Sequence, residues 1–227
     1  MTQIFNRSVW SALTTRQSAF SRGGDLAKRF DPAVSPFAAS KDNSHQALEA
    51  LADLIAPGED HVYLLQAEDI ALPDALDAEV AARGVLMTER RSGPDAETQD
   101  RIVPLTANDI PEMVALADLT KPGPFTARTP ELGRFWGVKH EGRLAAMAGT
   151  RLNVSGFTEV SGICTHPDFR GRGLASKLSR HVAAEIRARG DTPFLHAYAD
   201  NHGAITLYRK LGFEILREVN VAVVRRR

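Results

Sequence analysis

Ile163-Cys164-Thr165-His166-Pro167-Asp168-Phe169-Arg170-Gly171-Arg172-Gly173-Leu174-Ala175 reads as a strand, a tight polar turn and a glycine-rich helix start. A helix N-terminus leaves several backbone N–H groups without partners and carries the positive end of the helix dipole, so anions settle there. Gly171 and Gly173 put no Cβ between those amides and a bound phosphate. Beyond the turn, Leu174, Leu178, Val182 and Ile186 recur at four-residue spacing, giving the following helix one buried stripe. The competing reading is a loop whose glycines merely bend the chain and whose arginines are solvated.

Two other phosphate loops are excluded by their own chemistry. A Walker loop needs Gly-Lys-Ser/Thr to reach terminal phosphates and magnesium, whereas Gly173 is followed by Leu174 and Ala175. A dinucleotide fingerprint needs a third glycine where Ser176 stands. Further on, Thr192 to Tyr198 reads as a short strand, and Asn201-His202-Gly203-Ala204-Ile205-Thr206-Leu207-Tyr208-Arg209-Lys210-Leu211-Gly212-Phe213 as a capped helix. Asn201 is a favoured N-cap and Gly212 a left-handed stop. Tyr208 stands about two turns after Asn201, so amide and phenol project to nearly the same side. Alone, Asn201 reads equally as a cap and Tyr208 as a core aromatic.

Taken together, the Arg-x-x-Gly-x-Ala turn (Arg170 to Ala175) and the Asn-x-x-Ala…Tyr…Leu-Gly-Phe segment (Asn201 to Phe213), in this order and spacing, resemble the acetyl-CoA site of the GCN5-related N-acetyltransferases (GNAT), and more closely their FR47-like branch. The resemblance covers about Arg101 to Arg225. It implies an α/β (α+β) fold with a central mixed, mostly antiparallel twisted sheet flanked by helices. It also implies acetyl transfer from acetyl-CoA to a primary amine of a small molecule, amino acid or peptide, by direct attack in a ternary complex. The alternative is a non-catalytic acyl-CoA-binding sensor or interaction module, which needs the glycine turn but has no use for a thiolate acid.

The resemblance assigns roles by position. Ile163, Cys164 and Thr165 lie on a strand that splays from its neighbour and holds the pantetheine arm and thioester carbonyl. Backbone amides from Arg170 through Gly171, Arg172, Gly173, Leu174 and Ala175 to Ser176 take the pyrophosphate, with the Arg170 and Arg172 side chains adding charge. Asn201 hydrogen-bonds the pantetheine, and Tyr208 protonates the departing thiolate. Glu159 is the candidate general base, or else a solvent-facing strand residue. Cys164 has no His or Asn/Asp partner by spacing and reads as a small buried residue rather than a nucleophile. The loop Thr120 to Thr129, rich in Pro and Gly, is the expected wall of the acceptor pocket. Arg128 within it is a surface arginine or a carboxylate binder.

Composition bounds the rest. The chain of 227 residues is 43% hydrophobic and 25% charged, an ordinary globular balance with length for two small domains. Its formal net charge of zero points to neither nucleic acid nor an anionic membrane. A single cysteine excludes an intrachain disulfide, and the histidines show no zinc-ligand spacing, so no metal is expected. The first twenty residues hold no continuous apolar region of a secretory signal and no later run has membrane-spanning length, so the expectation is a cytoplasmic protein, monomer or homodimer.

The polar, breaker-rich stretch Arg90 to Asp100 marks a domain boundary, dividing an N-terminal α/β domain (1–95), analogous to a degenerate GNAT-like half, from a catalytic domain (100–227). In the first, helices are expected over Ser44 to Ile55 and from Pro73 to Ala82, with strands at Val62 to Gln66 and Gly84 to Thr88. In the second, the expected order is a strand at Ile102 to Leu105, a helix at Asn108 to Leu119, a short helix from Thr129, a hairpin of Trp136 to Lys139 and Arg143 to Leu152, and a strand at Phe157 to Thr165. Two short strands are expected over Glu214 to Val224, with Val221 to Val224 available to pair across a dimer edge.

Overall fold

The computed structural model describes residues 2–58, 61–91 and 101–227. In chain order its elements are α1 (Ser8–Thr14), β1 (Ser21–Gly23), β2 (Ala27–Phe30), β3 (Phe37–Ser40), α2 (His45–Asp53), β4 (Val62–Gln66), β5 (Leu76–Glu89) and β6 (Ile102–Pro104). There follow α3 (Ile110–Thr120), β7 (Phe135–His140), β8 (Arg143–Val154), β9 (Phe157–Thr165), α4 (Leu174–Ala188), β10 (Thr192–Tyr198), α5 (His202–Lys210) and β11 (Phe213–Arg226). The strands form one sheet in the order β1-β2-β3-β4-β11-β5-β10-β9-β8-β7-β6. Among the described residues only β3–β4 and β10–β9 pair in parallel, so the sheet is mixed and mostly antiparallel, as the resemblance implied.

Local chemistry explains most of these elements. The β7–β8 hairpin closes on Glu141 (φ +50°) and Gly142 (φ +80°), two left-handed residues whose twist suits a two-residue hairpin. Ser44 caps α2 by accepting from the Ala47 N–H at 3.3 Å. The four-residue stripe of α4 is buried throughout, with Leu174, Leu178, Val182 and Ile186 packed on Trp136, Ala146, Ala148 and Val160 of the sheet. On the opposite face, Val9, Ala12 and Leu13 of α1 pack with Leu152, Val154 and Phe194.

Three expectations are corrected by the sheet. Residues 73–82 contain no helix. Pro73 to Ala75 precede the strand and Leu76 opens β5, whose outer half pairs with β11 (Ala78 with Val224, Ala82 with Val221). The alanine-rich segment has helix-forming residues, but the neighbouring strand satisfies its backbone instead. The C-terminal segment is one long strand with register shifts at Ile215/Arg217 and Val223/Val224, not two short ones. Val221 to Val224 form no dimer edge, because β11 is interior, with β4 on one side and β5 on the other. The same insertion carries the sheet continuously from the N-terminal strands to the C-terminal ones. The division expected between residues 95 and 100 lies outside the described residues.

Candidate active site

Parallel pairing between β9 and β10 extends only from Phe157–Thr192 to Glu159–Phe194. Beyond that point β10 continues against β5 and β9 against β8, so the two central strands part. Gly162 (φ +63°) lies on β9 just past the parting. The backbone of β9 facing β10 therefore has no strand partner from Val160 onward, which leaves its polar groups available to a ligand.

At the end of β9 the chain makes the glycine turn. Gly171 (φ +78°) and Gly173 (φ +73°) both occupy the left-handed region that favours glycine, and a Cβ at either would meet nothing within 4 Å. Their necessity is conformational, and the space before the amides is open. Gly173 is the N-terminal residue capping α4, and Lys177 is the first whose N–H reaches a carbonyl of that turn, Gly173 at 3.1 Å. The Leu174, Ala175 and Ser176 amides stand ahead of it without helical acceptors. Arg170 departs from expectation, since its N–H donates to Pro167 at 3.2 Å and leaves only the side chain to a ligand. The exposed Arg172 guanidinium lies over the Phe169 ring at 5.1 Å.

These groups surround a cavity of about 470 Å³ lined by Thr120, Ile163, Cys164, Thr165, Phe169, Arg170, Gly171, Gly173, Leu174, Ala175, Ser176 and Leu207. The sequence-assigned coenzyme residues on β9 and the turn, Arg172 excepted, thus line one space, whereas Asn201 and Tyr208 are not among its lining residues. A larger recess of about 640 Å³ lies between β6, α3 and the start of β7, away from the turn.

Asn201 caps α5, its side-chain oxygen accepting from the Ala204 N–H at 3.1 Å. The side-chain NH₂ remains as the donor. Tyr208 is buried in the core shared by α4 and α5, its ring edge-on to Phe213 at 6.3 Å. Burial pushes its phenol up to about 12, so the group stays protonated throughout the neutral range. Cys164 is buried, and burial raises its thiol to about 11, a neutral residue with no thiolate to attack an acyl group. Arg128 is engaged by Glu131, at 2.7 and 2.9 Å, and by Asp31 at 3.5 Å, which accounts for it as a surface loop residue. The loop before it reaches the site: Pro122, Gly123 and Pro124 border a small recess with Arg151, Ser161 and Gly162.

Glu159 requires the main correction. It is fully buried, not solvent-facing. Arg151 donates to both its oxygens at 3.0 Å, the Leu152 N–H donates to Oε2 at 3.2 Å, and His196 Nδ1 lies 2.7 Å from Oε1. Burial pushes this carboxyl up, but the Arg151 charge and the His196 hydrogen bond outweigh it and hold it at about 2. The solvent-facing alternative is thereby overturned, and Glu159 is a buried carboxylate held by three donors. Sequence reading did not single out His196, although Phe194, His196 and Tyr198 alternate on one face of a strand whose limits were read correctly. A titratable residue alternating with aromatic ones on one strand face is the available signal.

Known proteins match this arrangement. The family model described as FR47-like protein matches residues 136–222, from β7 into β11. The crystal structure of a GNAT-family protein from Novosphingobium aromaticivorans is 39% identical, with a TM-score of 0.91 over 98% of this chain and 98% of that one. The chain belongs to the GNAT family. Two curated relatives match shorter stretches. The ribosomal protein bS18-alanine N-acetyltransferase of Salmonella typhimurium is 39% identical over 85 residues, covering 37% of this chain and 53% of its own length. The mycothiol acetyltransferase of Mycolicibacterium smegmatis is 33% identical over 78 residues, covering 33% of this chain and 26% of its own length. The chain thus spans about half or less of the length of these curated relatives. In GNAT terms, the parted β9–β10 pair is the splay, and the Arg170 to Ser176 turn opens the helix that follows it.

Proposed function

We propose that this protein transfers the acetyl group of acetyl-CoA to a primary amine of a small molecule, amino acid or peptide, by direct attack in a ternary complex. The observation that carries this reading is the convergence of open amides at the start of α4 with unpaired backbone on β9 around one cavity. The amides of Gly171 to Ser176 fit a pyrophosphate, with Arg170 and Arg172 adding positive charge. The unpaired edge of β9 at Ile163 to Thr165 fits the amide-rich pantetheine arm, and the Asn201 NH₂ adds a donor. Held there, the thioester sits beside the cleft into which an amine can enter.

Tyr208 is the general acid of this reading. A phenol kept neutral by burial can give its proton to a thiolate as the carbon–sulfur bond breaks. The division into an N-terminal unit, 1–95, and a catalytic unit, 100–227, belongs to the same proposal, with β11 joining the two. A cytoplasmic setting belongs to it as well.

The test is acetyl-CoA-dependent thiol release across amino acids, polyamines, aminoglycosides and short peptides, including one with an N-terminal alanine, with mass spectrometry of the products. Tyr208→Phe is expected to lower kcat about 100-fold while leaving the acetyl-CoA Kd within about twofold. Tight acetyl-CoA binding without acetylation of any amine would instead identify a coenzyme sensor.

A further inference from the structure

Arg151 does more than hold Glu159. Its guanidinium is fixed on two sides: Nε and Nη2 donate to the Glu159 carboxylate, both at 3.0 Å, and Cζ lies 4.8 Å from the centre of the Phe37 ring. The third nitrogen, Nη1, donates to no group among the described residues, and it is not sealed from solvent. Arg151 borders the small recess beside the Thr120 to Thr129 loop, where a Cβ built on Gly123 would stand 3.7 Å from Nη1. Ser161 borders the same recess, and its hydroxyl also has no partner among the described residues. The space has a volume of about 10 Å³, room for a single oxygen atom.

The loop that walls this recess is anchored. Thr126 Oγ1 donates to the Ala33 carbonyl at 2.7 Å, Thr129 Oγ1 donates to the Val34 carbonyl at 3.0 Å, and the Phe125 ring lies edge-on to Phe135 at 5.4 Å. A recess so braced is formed before a ligand arrives. It adjoins the coenzyme cavity along two walls. Gly162 borders the recess and Ile163, the next residue of β9, borders the cavity; on the loop, Pro122 borders the recess and Thr120 the cavity.

We infer that Arg151 Nη1 and the Ser161 hydroxyl hold the α-carbonyl oxygen of the acceptor, which makes the acceptor an aminoacyl compound with a neutral carbonyl: a peptide N-terminus or an amino-acid amide. The inference rests on the acetyl-transfer reading and names its acceptor class. In such a compound the carbonyl stands next to the carbon that carries the reacting amine, so anchoring the oxygen orients the nitrogen toward the thioester. Charge selects the neutral form. Glu159 is ionised, and its pairing already balances the Arg151 guanidinium. A carboxylate brings a second negative charge to the same cation, whereas an amide carbonyl asks only for hydrogen bonds. Polyamines carry no oxygen at that position, and aminoglycosides offer hydroxyls in place of a carbonyl.

The experiment measures acetyl-CoA-dependent thiol release by the full chain with amino-acid amides of varied side chain. The best of them is then compared with its free amino acid and with the alkylamine in which a methyl group replaces the carboxamide. The amide is expected to exceed the free acid about tenfold in kcat/KM. Ser161→Ala is expected to lower kcat/KM about fivefold more for the amide than for the alkylamine, and to leave the acetyl-CoA Kd within about twofold. Taking the variant-to-wild-type ratio for each amine cancels their different basicities. Arg151→Lys keeps a positive charge for Glu159 but loses Nη1, and its selective loss on the amide is expected to be about tenfold. Should that variant fail to fold, Ser161→Ala and the substrate series decide.

Losses that agree within about twofold on the amide and the alkylamine overturn the inference and leave the recess to a water molecule. A free amino acid that outperforms its amide overturns the neutral-carbonyl assignment. Acetylation of a polyamine or an aminoglycoside without any aminoacyl compound overturns the inference and leaves the acetyl-transfer reading standing. A wild type that binds acetyl-CoA and acetylates no amine overturns both.

Discussion

The two ends of β9 serve one cleft by different means. Past its C-terminal end the Arg170–Gly173 turn is exposed, and it and the start of α4 offer backbone amides, with charge supplied by the arginines of the turn. Four residues before Ile163, Glu159 is fully buried and holds Arg151 and His196 through side chains alone. The turn can be disturbed with little effect on the core, whereas the buried cluster cannot lose Arg151 or Glu159 without leaving a charge unpaired. Ligand binding and structural integrity are thus separable along a single strand.

The sharpest way to break that contrast is Arg151→Met, which leaves Glu159 buried without its main counter-charge. Removing one partner of a buried pair costs about 3–5 kcal/mol, to be read from urea unfolding. A loss below about 1 kcal/mol would mean the pair is structurally idle. The same cluster sets an acid limit. Glu159 is ordinarily near 4.5 and is held at about 2, so its contribution is present above the ordinary value and is lost as pH falls toward the folded one. That loss is on the order of 3 kcal/mol and is expected to vanish in Glu159→Gln.

At the turn, Gly173→Val places a β-branched side chain at φ +73° in otherwise open space. The backbone penalty is about 1–2 kcal/mol, and the acetyl-CoA Kd is expected to rise at least about tenfold by isothermal titration as the amides shift. A Kd unchanged by this substitution would remove the turn from the coenzyme site. The smallest expected effect is Asn201→Ala, which removes the α5 cap and about 1 kcal/mol of stability. A several-fold weaker coenzyme affinity beyond that loss would mark the NH₂ as a ligand donor.

Much of this was legible because it is local. The limits of β4, β9 and β10, the stripe of α4 and the Asn201 cap follow from periodicity, glycines and capping residues within one or two turns of chain. The extended segment at Leu76 to Ala82 was not, because its residues favour helix and only pairing with β11, far away in sequence, makes it a strand. Nor was the interior position of Val221 to Val224, whose alternation fits a central strand and an edge equally well.

The sequence by itself determined the glycine turn, the helix it opens, the cap and phenol of α5 and, through them, the family. Each rests on backbone geometry that neighbouring residues impose. Only the tertiary structure decided what Glu159 does, because its partners Arg151 and His196 stand 8 and 37 residues away and meet it only when three strands align. Burial then fixes the outcome: a carboxylate removed from water must be paired, and Arg151 and His196 supply the pairing that holds it ionised.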